Sequence, residues 1–391
     1  MPGVCIYFQV HQPRRLKRYR VFDIGRNHLY EDPGKSRQAL DELARSCYIP
    51  TTETLLKLIE KHKGKFRVAF SISGETITLC EKYREDVLEI FQRLADTGCV
   101  EFLNETYSHS LAFLFSLREF KEQIKAHKKK CEELFRQKAT AFCCSELIYS
   151  NELAGIAEKM GYKVILAEGK EDIPGFKGTD FVYRPTNCVK LKLLLRNYRL
   201  SDDIQFGIFD NLQNGPPLKA DLVVERVAKA CKGGGEVVNL FMKYENLGKH
   251  NDFEVLNFIK SFADEIIRHD FCFCTPSEIA AKHEPVALLD VPDFVSWSES
   301  KHDLTAWVGN AMQRDALRVL YDLEEKARKR KNADLNGIWR MLQASDHFFY
   351  MSTENYSQGA KQKYSNPYAS PYEAYINYMN ILEDFSLSLR S

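Results

Sequence analysis

The sequence of 391 residues carries almost no net charge, with 55 Lys and Arg against 54 Asp and Glu and a formal balance of +1. That excludes the global field that gathers a protein onto nucleic acid or anionic lipid, and a neutral polar ligand fits better. The local basic runs KAHKKK (Lys125–Lys130) and EEKARKRK (Glu324–Lys331) sit in helical patterns flanked by acids and read as solvated helix faces. No stretch approaches the roughly 20 consecutive apolar residues of a membrane span. There is no CxxC pair; the eleven cysteines, an odd number that includes adjacent Cys143 and Cys144 and the alternating Cys272 and Cys274, read as free, buried thiols of a reducing, cytoplasmic compartment. GxGxxG and GxxxxGK spacings are missing, and the KGGGE turn (Lys232–Glu236) reads as a loop before a strand, not a phosphate cradle. His11, His109 and His250 each follow an apolar run, but at no compact zinc-ligand spacing, so neither a metal nor a cofactor is expected. The amino-terminal MPGVCIYFQVHQPRR has no basic stretch ahead of its apolar run and reads as a first strand. No fixed-period repeat is present.

What is there is alternation. Strand-length apolar runs (GVCIYFQV, KFRVAFSIS, CVEFLNET, TAFCCSEL, KVILAEG, LKLLLRN, EVVNLFM, FCFCTPSEI) are separated by amphipathic stretches at 48–62, 83–97, 117–138, 150–160, 221–231 and 253–268. The pattern predicts an α/β fold, a parallel sheet with crossover helices, closed into a barrel. After VALLDVPDFVSWSES strands almost vanish, and helices are expected over 307–331, 335–350 and 371–389. The expected boundary lies near 290, with a barrel over 1–290 and a helical region over 291–391.

The carboxyl ends of barrel strands converge on one rim, where ligands bind. Those ends carry His11 and Gln12, Glu75, Asn104, Glu105 and Tyr107 with His109 beyond, Glu146, and Lys243 with Glu245. Such a rim suits a sugar, whose hydroxyls need polar partners and whose rings stack on aromatic faces. Taken singly, His11 equally reads as a loop-ordering residue, and Glu75 or Glu105 as helix-capping or surface carboxylates.

Five stretches together, HQP (His11–Pro13), VEFLNETYSHSLA (Val100–Ala112), SELIYSNELA (Ser145–Ala154), LFMKYENLGKH (Leu240–His250) and WSESKHDLTAWVGNAMQ (Trp297–Gln313), resemble the five sequence regions of glycoside hydrolase family 57 on its α-amylase branch. LQASDHFFYM (Leu342–Met351) and NPYASPYEAYINYMNIL (Asn366–Leu382) are similar to the helical region of that branch. The resemblance implies an irregular, incomplete (β/α)7 TIM-like barrel, a helical bundle that helps close the substrate groove, and retaining action on α-glucans. It also implies Glu146 as nucleophile and an aspartate as acid/base, at a position that is Lys243 here. His11, Gln12, Glu75, Glu105, His109, Glu245, His250, Asp303 and Trp307 are the expected substrate contacts. Asp303 reads equally as a carboxylate at a helix amino terminus, and Trp307 and Trp297 as sugar platforms or as seals between barrel and helices.

The lysine changes the chemistry. Retaining hydrolysis needs one carboxylate to attack and a second to donate, then recover, a proton. An ammonium with a reference pKa of about 10.4 donates but does not readily accept, so release of the glycosyl-enzyme loses its base. Cys144-Ser145, Asn246 and Lys249 also depart from the family's usual residues. The expectation is an α-glucan or maltooligosaccharide site with impaired hydrolysis. An active amylase or glucanotransferase with a rearranged acid/base is one alternative, and a non-catalytic partner in glycogen metabolism another.

Overall fold

A computed structural model of the protein describes residues 2–171, 173, 175–209, 219–248, 252–298, 301–354 and 366–390. Ten strands are found among them: β1 Gly3–Val10, β2 Val68–Ile72, β3 Val100–Phe102, β4 Ala141–Cys143, β5 Val164–Glu168, β6 Val182–Pro185, β7 Lys192–Arg196, β8 Val237–Lys243, β9 Cys272–Phe273 and β10 Leu288–Leu289. One sheet runs β3-β2-β1-β8, with β9 also on β1; the other runs β10-β6-β7-β5-β4. Two seams join them. Asn104, just past β3, bridges in parallel to Phe142 of β4, and Asn197, just past β7, donates from its backbone to the Asn239 carbonyl of β8 at 2.9 Å. Pairing is therefore cyclic through seven strands, β1-β2-β3-β4-β5-β7-β8 and back to β1, in a mixed α/β fold.

Strands buried on both faces explain why their sequences are continuous apolar runs. On β1, Val4, Ile6, Phe8 and Val10 face the helices outside, in a core shared with Leu55, Leu58 and Phe262. Cys5 and Tyr7 face inward with Ala69, Leu103, Cys143, Leu166, Leu194 and Phe241. Period-two alternation then fixes the rim. Gln9 shares the inward face of β1 with Tyr7, Lys243 that of β8 with Phe241, Glu168 that of β5 with Leu166, and Arg196 that of β7 with Leu194. Each of the four is at most 8% exposed.

Several elements differ from the sequence reading. The antiparallel β6 was not expected, and FCFC contributes only Cys272–Phe273, paired with Gly3 and Val4. The single helix expected over 307–331 is three, Thr305–Val308, Ala311–Asp322 and Glu324–Lys329. It breaks at Asn310, whose side chain caps the Gln313 amide while Gln313 caps Asn310 in return. The 335–350 stretch likewise splits into Ala333–Met341 and Ser345–Phe349. Helices Pro33–Leu43, Gly74–Tyr83 and Tyr198–Phe209 had not been read out. Among the described residues, Trp339, Phe348 and Ile381 from helices after 300 belong to one apolar cluster with Phe142, Leu153, Ile165 and Leu193. No helix among the described residues is long and apolar enough to cross a membrane.

Candidate functional site

The turn after β4 presents Glu146 in left-handed backbone (φ 58°, ψ 26°), followed by Leu147 at φ 51°. A third non-glycine residue of this kind, His109 at φ 51°, follows β3. Such conformations cost on the order of 1–3 kcal/mol each and persist where surroundings over-determine them. Here the surroundings come from the far end of the chain. The Ser345 amide donates to the His109 carbonyl at 3.0 Å, and the Trp297 amide to the Glu146 carbonyl at 3.3 Å.

The Glu146 side chain, 1% exposed, is enclosed by donors. On Oε2 it meets Lys243 Nζ at 3.2 Å and the Trp297 indole N–H at 2.7 Å. On Oε1 it meets the Ser345 hydroxyl at 3.0 Å and His109 Nε2 at 3.3 Å. The Lys243 ammonium also lies over the Trp297 ring, 5.2 Å from its centroid. Burial by itself would raise the Glu146 carboxyl, but Lys243 and then His109 and Trp297 hold it well below the usual carboxylate range.

His109 is the second node. Its Nδ1 bonds Glu105 Oε2 at 2.7 Å. Burial opposes a charged imidazole, yet Glu105 and Glu146 lift His109 to about 10, so it is an imidazolium at neutral pH. His11 stacks on it with centroids 4.0 Å apart, and bonds Ser73 Oγ through Nδ1 and Asp346 Oδ2 through Nε2, both at 2.7 Å. Despite burial, His11 and His109 bring Asp346 down to about 2.

Of the residues singled out in the sequence, His11, Glu105, His109, Glu146 and Lys243 form this one bonded cluster. Glu245 joins through the His11 backbone N–H at 2.8 Å and also accepts from Tyr48. One step removed, Gln12 donates its backbone N–H to Thr76 Oγ1, and Glu75 binds Arg14 at 2.6 Å and accepts from Ser108. Asp303 accepts from the Thr305 amide at 2.7 Å, at the start of the Thr305–Val308 helix. Trp307 is 2% exposed and packs near Phe349, while Trp297 is the indole that touches Glu146. His250 lies outside the described residues. Among the described residues, no group of three or more His, Cys, Asp and Glu is arranged to hold a metal.

Ser345 and Asp346 were missed as individual residues, although they stand inside the quoted LQASDHFFYM; a polar pair amid buried apolar residues was the available signal. Also missed were Gln9, Glu168 and Arg196, polar ends of otherwise apolar inward faces. Both polar atoms of the Gln9 side chain, Glu105 Oε1 and Asp346 Oδ1 are buried without a protein partner.

A family model described as glycosyl hydrolase family 57 matches residues 5–292. A Methanocaldococcus jannaschii protein named "Putative alpha-amylase" is 35% identical over 99% of this chain and 85% of its own length. Among solved structures, a GH57-type branching enzyme of Pyrococcus horikoshii superposes with a TM-score of 0.69 at 15% identity, covering 98% of this chain and 88% of that one. The 4-α-glucanotransferase of Thermococcus litoralis gives a TM-score of 0.65 at 14% identity, covering 89% of this chain and 56% of that one, so this chain spans little more than half its length. At these identities the two structures speak to fold alone.

Proposed function

The chain belongs to glycosyl hydrolase family 57, and from that premise we propose that it is an α-amylase-like protein that takes an α-1,4-glucan or maltooligosaccharide at the rim around Glu146. Glu146 is the nucleophile of a retaining site, and Lys243 occupies the acid/base position, so hydrolysis is slow. The observation that carries this reading is the 3.2 Å contact between Glu146 and Lys243. An anion and a cation meet there, where two carboxyls are needed for turnover.

The physical consequence is twofold. A carboxylate held far below its usual range by an ammonium and an imidazolium is a poor nucleophile until sugar binding loosens those contacts. Lys243 also has no lone pair to offer a water while it stays an ammonium. Binding is the better-supported half of the function. Buried polar atoms of Gln9, Glu105 and Asp346 that lack a protein partner suit the hydroxyls of a sugar, since burying them unsatisfied costs about 1–3 kcal/mol each. Eleven cysteines that form no disulfide support a reducing, cytoplasmic setting.

Calorimetric titration with maltoheptaose tests the reading directly. Saturable heat that is lost or weakened at least tenfold in His11→Ala is expected. No heat at millimolar ligand would remove the carbohydrate site and leave a non-catalytic partner role.

A further inference from the structure

The missing base has a candidate one strand away. β4 and β5 pair with Cys143 opposite Leu166, so the inward-facing Glu168, two residues on, reaches the same rim as Glu146. Its backbone partner on β7 is Arg196. Around the mouth, the turn after β4 and the ends of β5, β7 and β8 therefore carry Glu146, Glu168, Arg196 and Lys243. Trp297 and His302 lie beside the two carboxyls in turn. Trp297 donates to Glu146, the Ser296 amide to the His302 carbonyl at 3.1 Å, and His302 Nδ1 stands 4.0 Å from Glu168 Oε2. That nitrogen is buried with no hydrogen-bond partner.

We propose that Glu168 is the proton-transfer carboxyl of this site, carrying the donation and the recovery that Lys243 cannot complete. The inference rests on the reading of Glu146 as nucleophile. Its geometric basis is a shortage of cations. The Arg196 guanidinium serves two carboxylates, Glu168 at 3.1 Å and Asp202 at 2.5 Å, and also donates to the Phe241 carbonyl at 2.9 Å. Asp202 has solvent within reach, with its side chain 32% exposed, whereas Glu168 is fully buried. Of the two, Glu168 therefore bears the cost of burial. Burial raises it, Arg196 lowers it, Asp202 raises it again and the Gly169 amide lowers it, with a balance at about 7. The other group facing it, His302, is kept neutral by burial. A carboxyl that titrates at the working pH can both give and take a proton. Gly169 holds the turn tight: a Cβ there would lie 2.4 Å from the Arg196 carbonyl oxygen.

In the first step a Glu146 oxygen bonds to the anomeric carbon as the bond to the departing glucan oxygen breaks, and the Glu168 proton passes to that oxygen. In the second, the Glu168 carboxylate takes a proton from water, the water oxygen bonds to the anomeric carbon, and the ester to Glu146 breaks. One water is consumed and both carboxyls return to their starting states.

α-Maltotriosyl fluoride separates the steps, because fluoride leaves without acid assistance while release of the ester still needs a base. Wild type is expected to release fluoride continuously, at a rate that rises with pH through about 7. Glu168→Gln, which keeps a hydrogen-bonding group beside Arg196, is expected to release one equivalent, slow at least about 100-fold and accumulate a maltotriosyl ester on Glu146 by mass spectrometry. Added azide should restore turnover in Glu168→Ala with maltotriosyl azide as product. A purely structural Glu168–Arg196 pair predicts lower melting temperature without ester accumulation or azide rescue, and would overturn the proposal. So would a wild type that stalls as the ester. No ester and no fluoride from wild type would instead remove the parent reading of Glu146, and the inference with it.

Discussion

Glu146, in the turn after β4, and Glu168, at the end of the adjacent β5, belong to the same rim and are equally hidden from solvent, yet one is held well below the usual carboxylate range and the other above it. The difference lies in the cations. Glu146 draws on Lys243 and on the protonated His109, with the Trp297 N–H and the Ser345 hydroxyl in support. Glu168 shares a single guanidinium with Asp202. Burial raises both; Lys243 and His109 outweigh it at Glu146, whereas at Glu168 Asp202 adds to it and Arg196 offsets it only in part. Two carboxyls pushed apart in this way are the usual mark of a nucleophile beside an acid/base.

The sharpest way to break that contrast is Lys243→Asp. It removes the principal cation from Glu146 and, on the proposed reading, restores the family's second carboxyl, so hydrolysis of maltoheptaose should rise, by as much as about 10²–10⁴ when the comparison is made in the Glu168→Gln background. In the Lys243→Asp background Glu168→Gln should cost little, because proton transfer again has a carboxyl on β8. Reducing-sugar release in the four combinations checks both statements.

Glu146→Gln tests the same contrast through stability. It removes the carboxylate that Lys243 and His109 share, while His109 keeps Glu105, and breaking a buried pair typically costs about 3–5 kcal/mol. Denaturant unfolding should show that loss, partly recovered in Glu146→Gln with Lys243→Gln.

The smallest effect is a pH dependence at His109. Its folded value of about 10 lies above the usual imidazole value near 6.5. Its contribution to stability is therefore fully present below about 6.5 and is lost as pH rises through about 10. Melting temperature of the wild type should fall more steeply between pH 7 and 10.5 than that of His109→Gln; parallel curves would mean that the imidazole is neutral.

Much of this was legible from the residues. Strand runs buried on both faces announced a parallel arrangement, and the rim residues His11, Glu105, His109, Glu146 and Lys243 stood at their ends. Helix breaks were harder to see because the apolar periodicity passes through Asn310 and Gln343–Ala344 without losing phase. β6 was hidden by its Pro185 and by an antiparallel pairing that the alternating pattern does not signal. Glu168 was invisible for another reason. KVILAEG reads as a strand whichever way its last carboxylate is charged, and only the position of Arg196 and Asp202 decides that. Ser345 and Asp346 escaped because they approach Glu146 and His11 from about 200 and 335 positions along the chain, a distance no local pattern spans.

That approach sets an order of events during synthesis. The tripeptide Ala344-Ser345-Asp346 bridges to Ser110, bonds His109 and Glu146, and anchors His11. It leaves the ribosome about a hundred residues after Lys243, some 5–20 s later at ~5–20 residues per second. Until then the left-handed turn at His109 lacks its backbone donor and His11 its aspartate. A nascent chain thus completes the cluster around Glu146 late, with a clasp made long after the strands it closes.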